Sequence, residues 1–575
     1  MDTRFAGSAY RYFLLWGILA SLTVTICSIV DSLFIGNLAG SDGLAVANLS
    51  TPAFLLYASL GITIGVGANV QIGRLLGSSD VNGANALFHC LLSLGLLAGL
   101  LTLCPIFFQS TSFRILGVTE ELYPLAEQYI TVVMWSAPIF VLYHILSVSV
   151  RTDSDPKLAT IASFVVIGTN LTLDIVFMKV LGWGIIGASA SLCIAETLGV
   201  VTLLTHFFKK YRLLTLGLAL PRLAHIRDFI SNGFGIGSAS IFIAIVMRVF
   251  NALLLHSDQE MGTAYVGIYC VIYTISMIPV GVFDGTSNAL STVTAFLVGE
   301  SQEEGIFDIL KKALLAALIG GGAIALLWAV FSDVLAGLFG IRDAAALESA
   351  ASAMRIFSIS IVFTGINTVI TAFWQSIGRA RLAGFMALLR NCPLLLAAGA
   401  WLIPQFCIKG LSLAYICTEV ICTLIIFAVL FLRSSRNYVS EKYGLKGKCF
   451  ERSYIIQAES MTRISEDLEA LCEEWEIGMK QAFLINFISE EMLLNIIKFG
   501  LAEQNRKPEK SYISIRLMEK EGDYVLRIRD NISLYNPFES DGDQIDAGVL
   551  KLIQKKTKYC DYQRKLIFNY LYVIL

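Results

Sequence analysis

The sequence predicts an all-α polytopic membrane protein, twelve transmembrane helices in two parallel-repeat six-helix lobes, followed by a C-terminal cytoplasmic α/β two-layer domain. Three observations lead there: the hydropathy, the uneven placement of charge, and a constant spacing between like segments of the two halves. Of 575 residues, 56% are hydrophobic and 15% charged, and the mean hydropathy is +0.69. A soluble domain carries about 25% charged residues, so a soluble enzyme is excluded for most of the chain. Residues 1–436 hold 46 Lys, Arg, Asp and Glu, whereas the 139 residues 437–575 hold 42. A net charge of −2 gives no basis for binding nucleic acid. The 12 cysteines fall mostly within apolar runs without metal-ligand spacing, and read as small core residues in a reducing setting, with no metal site.

A helix needs about 20 apolar residues to cross the hydrocarbon layer. Such runs lie near 13–37, 51–76, 86–108, 125–150, 158–181, 186–208, 231–255, 265–298, 309–331, 353–376, 383–403 and 410–433. The first starts near Phe13 and is long enough to span, so it reads as a helix and not as a cleaved signal. The eighth is too long for one straight crossing, and Pro279 with Asp284–Asn288 predicts a kink or break in it. One alternating set of loops holds 16 Lys and Arg and the other holds four, Arg114, Lys179, Arg342 and Lys409. That bias places both ends of the membrane region, and hence the tail, in the cytoplasm of a multi-pass plasma-membrane protein.

The expected divisions are a first lobe 1–208, an inter-lobe loop 209–229, a second lobe 230–433, a linker 434–461 and a tail domain 462–575. Gly187 and Glu196 recur as Gly410 and Glu419 at an offset of 223, Gly77 recurs as Gly299 at 222, and Leu158 as Leu382 at 224. Six is an even number of crossings, so a duplicated six-helix unit inserts twice the same way up. Two facing bundles with a central cleft are the architecture of an alternating-access carrier, working as a monomer, and not of an enzyme.

An ionisable side chain in the bilayer interior costs at least about 2.5 kcal/mol, so each needs a reason. The first half holds Asp31, Asp174 and Glu196, with Asn170 one turn before Asp174. Asp31 and Asp174 both fall about 10 Å below the outer surface at 1.5 Å per residue. Two carboxylates in a poorly hydrated cavity raise one pKa, which suits a proton; with amide or carbonyl oxygens they also suit Na⁺. These four residues are the candidate coupling-ion site. The second half holds Arg248, Asp284, Arg355, Arg390 and Glu419. Of these, Asp284, Glu419 and Arg248 are candidates for substrate binding or gating, and Arg248 and Asp284 can neutralise each other. His89 and His144 read as core histidines with internal partners.

The stretch Ile29–Asn37 (IVDSLFIGN), followed by Leu44-Ala45 and Pro52, resembles the first-span signature of the multidrug and toxic compound extrusion (MATE) transporters. Asn170 to Asp174 with Leu181–Ala188, and Phe373–Arg379, resemble two further motifs of that family. The resemblance covers residues 5–435. It implies a two-lobed fold and export of organic, often cationic compounds in exchange for H⁺ or Na⁺, with Asp31, Asn170 and Asp174 as cation-site residues. Two features depart from it: residues 13–36 contain no proline, and Thr152–Pro156 (TDSDP) is acidic where relatives carry a glycine-containing turn. A flippase for a lipid-linked glycan would need a cationic cleft, for which Arg248, Arg355 and Arg390 are the candidates. A membrane-anchored sensor or kinase is the third reading.

In the tail, Ile464, Leu468, Leu471, Cys472 and Trp475 recur at helical spacing, a second helix runs over about 480–499, and 512–518 and 524–528 alternate as strands around Glu521-Gly522-Asp523. This order resembles the ATP-binding domain of anti-sigma-factor and histidine kinases. The resemblance carries Glu491 and Asn495 over as base and Mg²⁺ ligand, and Asp530 as the adenine-reading carboxylate. Ile532 stands where a glycine is usual and the glycine box is reduced to Gly548, so the tail reads as a degenerate regulatory domain open to a cytoplasmic regulator. No cofactor is expected, and neither ATP with Mg²⁺ nor kinase activity.

Overall fold

The computed structural model describes residues 4–38, 40–116, 118, 120, 123–237, 239–258, 261–338, 344–432, 435–444, 447–457, 459–497, 511–520, 522–532 and 553–575. The chain forms two units, Tyr10–Glu300 with Ile306–Tyr438, and Met1–Ala9 with Ser301–Gly305 and Val439–Leu575.

The larger unit is helical. Its first half runs through α1 (Arg4–Leu38), α2 (Gly40–Gly77), α3 (Val81–Leu101), α4 (Gln109–Leu116), α5 (Tyr123–Thr152), α6 (Pro156–Asp174) and α7 (Ile185–Leu204). The second half runs through α8 (Leu223–Gly237), α9 (Ala239–Ser257), α10 (Gly262–Gly299), α11 (Glu303–Leu338), α12 (Ala344–Ser376), α13 (Ala380–Asn391) and α14 (Pro393–Leu432). Local chemistry sets the breaks. Asp80 caps α3 by accepting from the Gly83 N–H at 2.8 Å. Asp155 caps α6 at Leu158, with Pro156 in the first turn where its missing N–H costs nothing.

Among the described residues nine helices are long and apolar enough to cross a membrane. One of those stretches, Ala380–Val429, takes in α13 and α14, and α14 itself turns sharply at Cys407. The break expected in the eighth run is absent: α10 continues as one helix past Pro279 and through Asp284–Asn288. A proline costs one intrahelical hydrogen bond, and neighbouring helices pack along α10 closely enough to carry it: a β-carbon at Gly285 would meet the backbone of Gly17 and Ile18.

The backbone repeats with the sequence. Ser79 after α2 and Ser301 after α10 both have positive φ, 66° and 55°, at an offset of 222. Ser154 and Gly378, at 224, have φ 71° and 88°. Gly184 and Cys407, at 223, have φ/ψ of 58°/−136° and 50°/−129°.

The smaller unit contains β1 (Cys449–Ile455), α16 (Glu459–Glu474), α17 (Met479–Asn495), β2 (Tyr512–Lys520), β3 (Asp523–Asp530), β4 (Tyr559–Lys565) and β5 (Phe568–Ile574); α15 (Ser435–Tyr443) precedes β1. The strands form one antiparallel sheet of order β1-β2-β3-β5-β4. Strand β1 lies within the segment expected to be a linker; its polar Glu451, Arg452 and Ser453 masked the strand, which is pinned to β2 from Cys449 opposite Met518 to Ile455 opposite Tyr512. One face of the sheet packs against α16 and α17 through Ile464, Leu468, Trp475, Ile488, Ile515 and Leu526.

Candidate functional site

The first-half cluster is built where α6 ends. Asn170 and Asp174 are one turn apart on α6 and both are fully buried. Beyond Asp174 the helix widens, the Leu181 N–H reaching back five residues to the Val176 carbonyl at 2.8 Å, a wide turn of the kind found at functional sites. From α7, the Ser191 hydroxyl hydrogen-bonds Asp174 Oδ1, and its oxygen accepts from Asn170 Nδ2 at 3.3 Å. The Ala188 carbonyl lies 2.8 Å from the same hydroxyl, which has one proton to give. Ser191 is a member of this cluster that sequence reasoning missed; its position one turn after Gly187 on the next helix was the available signal. Asp31 lies on α1, and its side chain is outside the described residues. Glu196 is buried on α7, its Oε2 without a hydrogen bond among the described residues.

The second half is built differently. Glu419 on α14 forms a buried ion pair with Arg390 of α13, Nε to Oε1 2.8 Å, and accepts from Asn367 Nδ2 at 2.6 Å. Arg390 also donates to Thr368 at 3.0 Å. The repeat-related acids Glu196 and Glu419 therefore sit in unlike surroundings. The ion pair forms part of the wall of a cavity of about 130 Å³ whose mainly apolar lining includes five aromatic side chains, Tyr269, Tyr273, Phe283, Phe357 and Tyr415. Arg248 and Asp284, expected to neutralise each other, are both exposed and form no ion pair among the described residues; the buried partner of the second half's acid is Arg390. Arg355 pairs with Asp333 at 2.5 Å and Ser332 at 2.8 Å.

The unusual acidic turn has a clear task. His206 lies between Asp153 at 2.7 Å and Asp155 at 3.2 Å, and Lys209 pairs with Asp155. Asp153 also accepts from the backbone N–H groups of Leu213 and Leu214. Burial raises the Asp153 carboxyl above the usual range. Burial also raises Asp155, but hydrogen bonds from His206 and Lys209 outweigh it and hold that group down at about 2. The turn ties the inter-lobe loop to the first half. His89 accepts the same structural role, bonded to the Thr215 carbonyl at 2.9 Å.

In the smaller unit, Asn495 Nδ2 donates to the Glu491 carbonyl at 2.7 Å, turned along its own helix. Asp530 is buried, and its Oδ1 accepts from Asn569 at 2.8 Å and the Ile532 N–H at 3.1 Å. Gly548 is outside the described residues.

A family model described as MatE matches residues 17–176 and 234–401. The multidrug export protein MepA of Staphylococcus aureus (strain MRSA252) is 24% identical over 445 residues, 76% of this chain and 96% of that one. A MepA of Staphylococcus saprophyticus is 23% identical over 433 residues, 75% and 94% of the two chains. Among solved structures, an outward-facing conformation of a multidrug resistance MATE family transporter of the MOP superfamily has a TM-score of 0.70 at 21% identity, covering 76% of this chain and 96% of that one. A MOP superfamily transporter from Pyrococcus furiosus, titled for the reverse polarity of its binding pocket, has a TM-score of 0.69 at 21% identity, covering 76% and 97%.

Proposed function

The chain belongs to the MatE family, the MATE transporters, and from that premise we propose that it exports lipophilic, cationic organic compounds in exchange for H⁺ or Na⁺ by alternating access of its two halves. The observation that carries this reading is the Asn170–Ser191–Asp174 cluster. It offers Asp174 Oδ1 a hydrogen-bond partner in either protonation state. With Asp174 ionised, Ser191 donates to it. With Asp174 neutral, the carboxylic acid donates to the Ser191 oxygen and the serine proton turns to the Ala188 carbonyl. A proton can therefore bind and leave at Oδ1 with its hydrogen bond to Ser191 kept, and the carboxylate, amide and hydroxyl oxygens equally suit a small hard cation. Binding of the ion favours one arrangement of the halves, and the ion and the exported compound act on the same equilibrium.

The apolar cavity of the second half suits a lipophilic compound, with tyrosine rings among its walls for a positive charge. Glu419 is already neutralised by Arg390, so this half is read as holding substrate and the first half as holding the coupling ion. The same pairings weigh against a flippase for a lipid pyrophosphate: of the three candidate arginines, Arg390 and Arg355 are matched by acids, which leaves Arg248 alone. The Lys and Arg bias of the loops supports a cytoplasmic side for both ends of the membrane region.

The test is the accumulation of a fluorescent lipophilic cation in cells, with pH and Na⁺ gradients imposed separately. Wild type is expected to lower accumulation under one gradient alone. Asp174→Asn at equal expression is expected to abolish the effect, and Ser191→Ala to weaken it by about tenfold, the weight of one hydrogen bond to a charged group. Export by Asp174→Asn at the wild-type rate would remove the carboxylate from the coupling mechanism.

A further inference from the structure

One face of the tail sheet carries the helices; the other carries charge and is buried all the same. Glu451 on β1, Arg516 on β2 and Arg529 on β3 project from it, with side-chain exposures of 0, 1 and 2%. Such a group is not buried without a partner. Glu451 pairs with Arg529 and lies 3.6 Å from Arg516 Nε. Burial raises this carboxyl, but Arg529, Arg527 and Arg516 outweigh it and hold it below the usual range, ionised.

What completes the cluster comes from far away in sequence. Gln302 Nε2 donates to both oxygens of Glu451 at 2.9 Å. Arg516 donates to the Ser301 carbonyl at 3.3 Å. The Arg529 guanidinium lies over the Phe5 ring, 4.3 Å from its centroid, and Phe5 meets Tyr512 and Phe568 edge-on. Ser8 Oγ and Tyr512 OH are 3.1 Å apart. The tail is thus folded around two pieces of chain that belong in sequence to the transport helices: residues 4–9, which open α1 in the first half, and 301–305, which join α10 to α11 in the second.

The second of these pieces follows directly on α10 in the chain. Three residues before Gln302, α10 ends at Gly299, and a β-carbon there would stand 2.9 Å from the Cα of Gly77, which ends α2. Arg74 of α2 donates to the Ser376 carbonyl of α12 at 2.6 Å. At this end of the bundle, read above as cytoplasmic, the halves are in backbone contact.

We infer that the C-terminal unit is a latch on this closure: by gripping the start of the first half and the α10–α11 connection of the second in one rigid fold, it restrains the separation of α2 from α10 that opens the cytoplasmic end. The inference rests on the alternating-access reading. The restraint is mechanical, since a single sheet holds both segments and any parting of them must break the Gln302–Glu451 bonds or extract Phe5.

The test is hydrogen exchange on the full-length chain in lipid nanodiscs, which needs no transport and so stands apart from the export assay. Gln302→Ala and Phe5→Ala each loosen the grip from outside the sheet. Both are expected to raise exchange at 74–80 and 296–300 by roughly tenfold, the population change that one lost hydrogen bond to a charge allows. Exchange in β2, β3 and β5 should stay at the wild-type level, showing the tail intact. Arg452→Ala, which breaks an exposed pair with Asp467 elsewhere on the tail, should leave 74–80 and 296–300 unchanged. Increased exchange confined to 4–9 and 301–305, or none at all, would overturn the latch. Absence of cation export by wild type with the exchange result as expected would instead overturn the transport reading.

Discussion

At the scale of single residues, several of the buried charges are settled by specific neighbours. Asp530 shows the cost. Burial outweighs its bonds from Asn569 and Ile532, and its carboxyl is pushed up from the usual 3.8 to about 7. A raised folded-state pKa means stability that is complete below the unfolded value and is lost as pH rises through the folded one. The tail should therefore become less protected against hydrogen exchange in β3 and β5 between about pH 4 and 7, beyond the intrinsic pH effect, and Asp530→Asn should flatten that profile. A pH dependence unchanged in the variant would show that another group sets it. The Arg390–Glu419 pair gives the complementary case. Removing one partner of a buried pair costs about 3–5 kcal/mol, whereas replacing both by apolar residues is often neutral. Arg390→Leu is expected to lower the melting temperature in detergent markedly, and Arg390→Leu with Glu419→Leu to recover most of the loss.

At the scale of elements, the duplicated turns explain one strained residue. Gly184 and Cys407 occupy equivalent positions with nearly the same backbone angles, and only the glycine adopts them without cost. Cys407→Gly should stabilise the second half by about 1 kcal/mol, the lower end of the cost of a left-handed non-glycine residue. Its weak contact to the Ser257 carbonyl, 3.7 Å, offsets little of that. A lowered melting temperature in this variant would show that the thiol, not the backbone angle, is what matters there. Element boundaries also mark where sequence reading fell short. Pro279 with Asp284–Asn288 reads as a kink or break, but α10 runs through without a break where neighbouring helices pack closely on it. Strand β1 reads as linker because its alternation is polar on both sides, and its partner β2 begins 63 residues after β1 begins.

At the scale of the whole molecule, the membrane class, the duplication and the family were legible in the sequence. Each depends on something written along the chain: the length of apolar runs, a fixed offset of 222 to 224 at glycine and acidic positions, and short motifs at three places. Asn170 and Asp174 were legible for the same reason, being one helical turn apart and too polar for their surroundings. Which groups meet them was decided only by the tertiary structure. Ser191 reaches Asp174 from the next helix, Arg390 takes Glu419 where Asp284 and Arg248 were expected to pair, and Gln302 completes a carboxylate 149 residues away. The physical reason is the same throughout. Burying a charge is a cost that local sequence can announce, but its compensation comes from whichever distant segment the packing brings within 3 Å, and packing is a property of the folded chain as a whole.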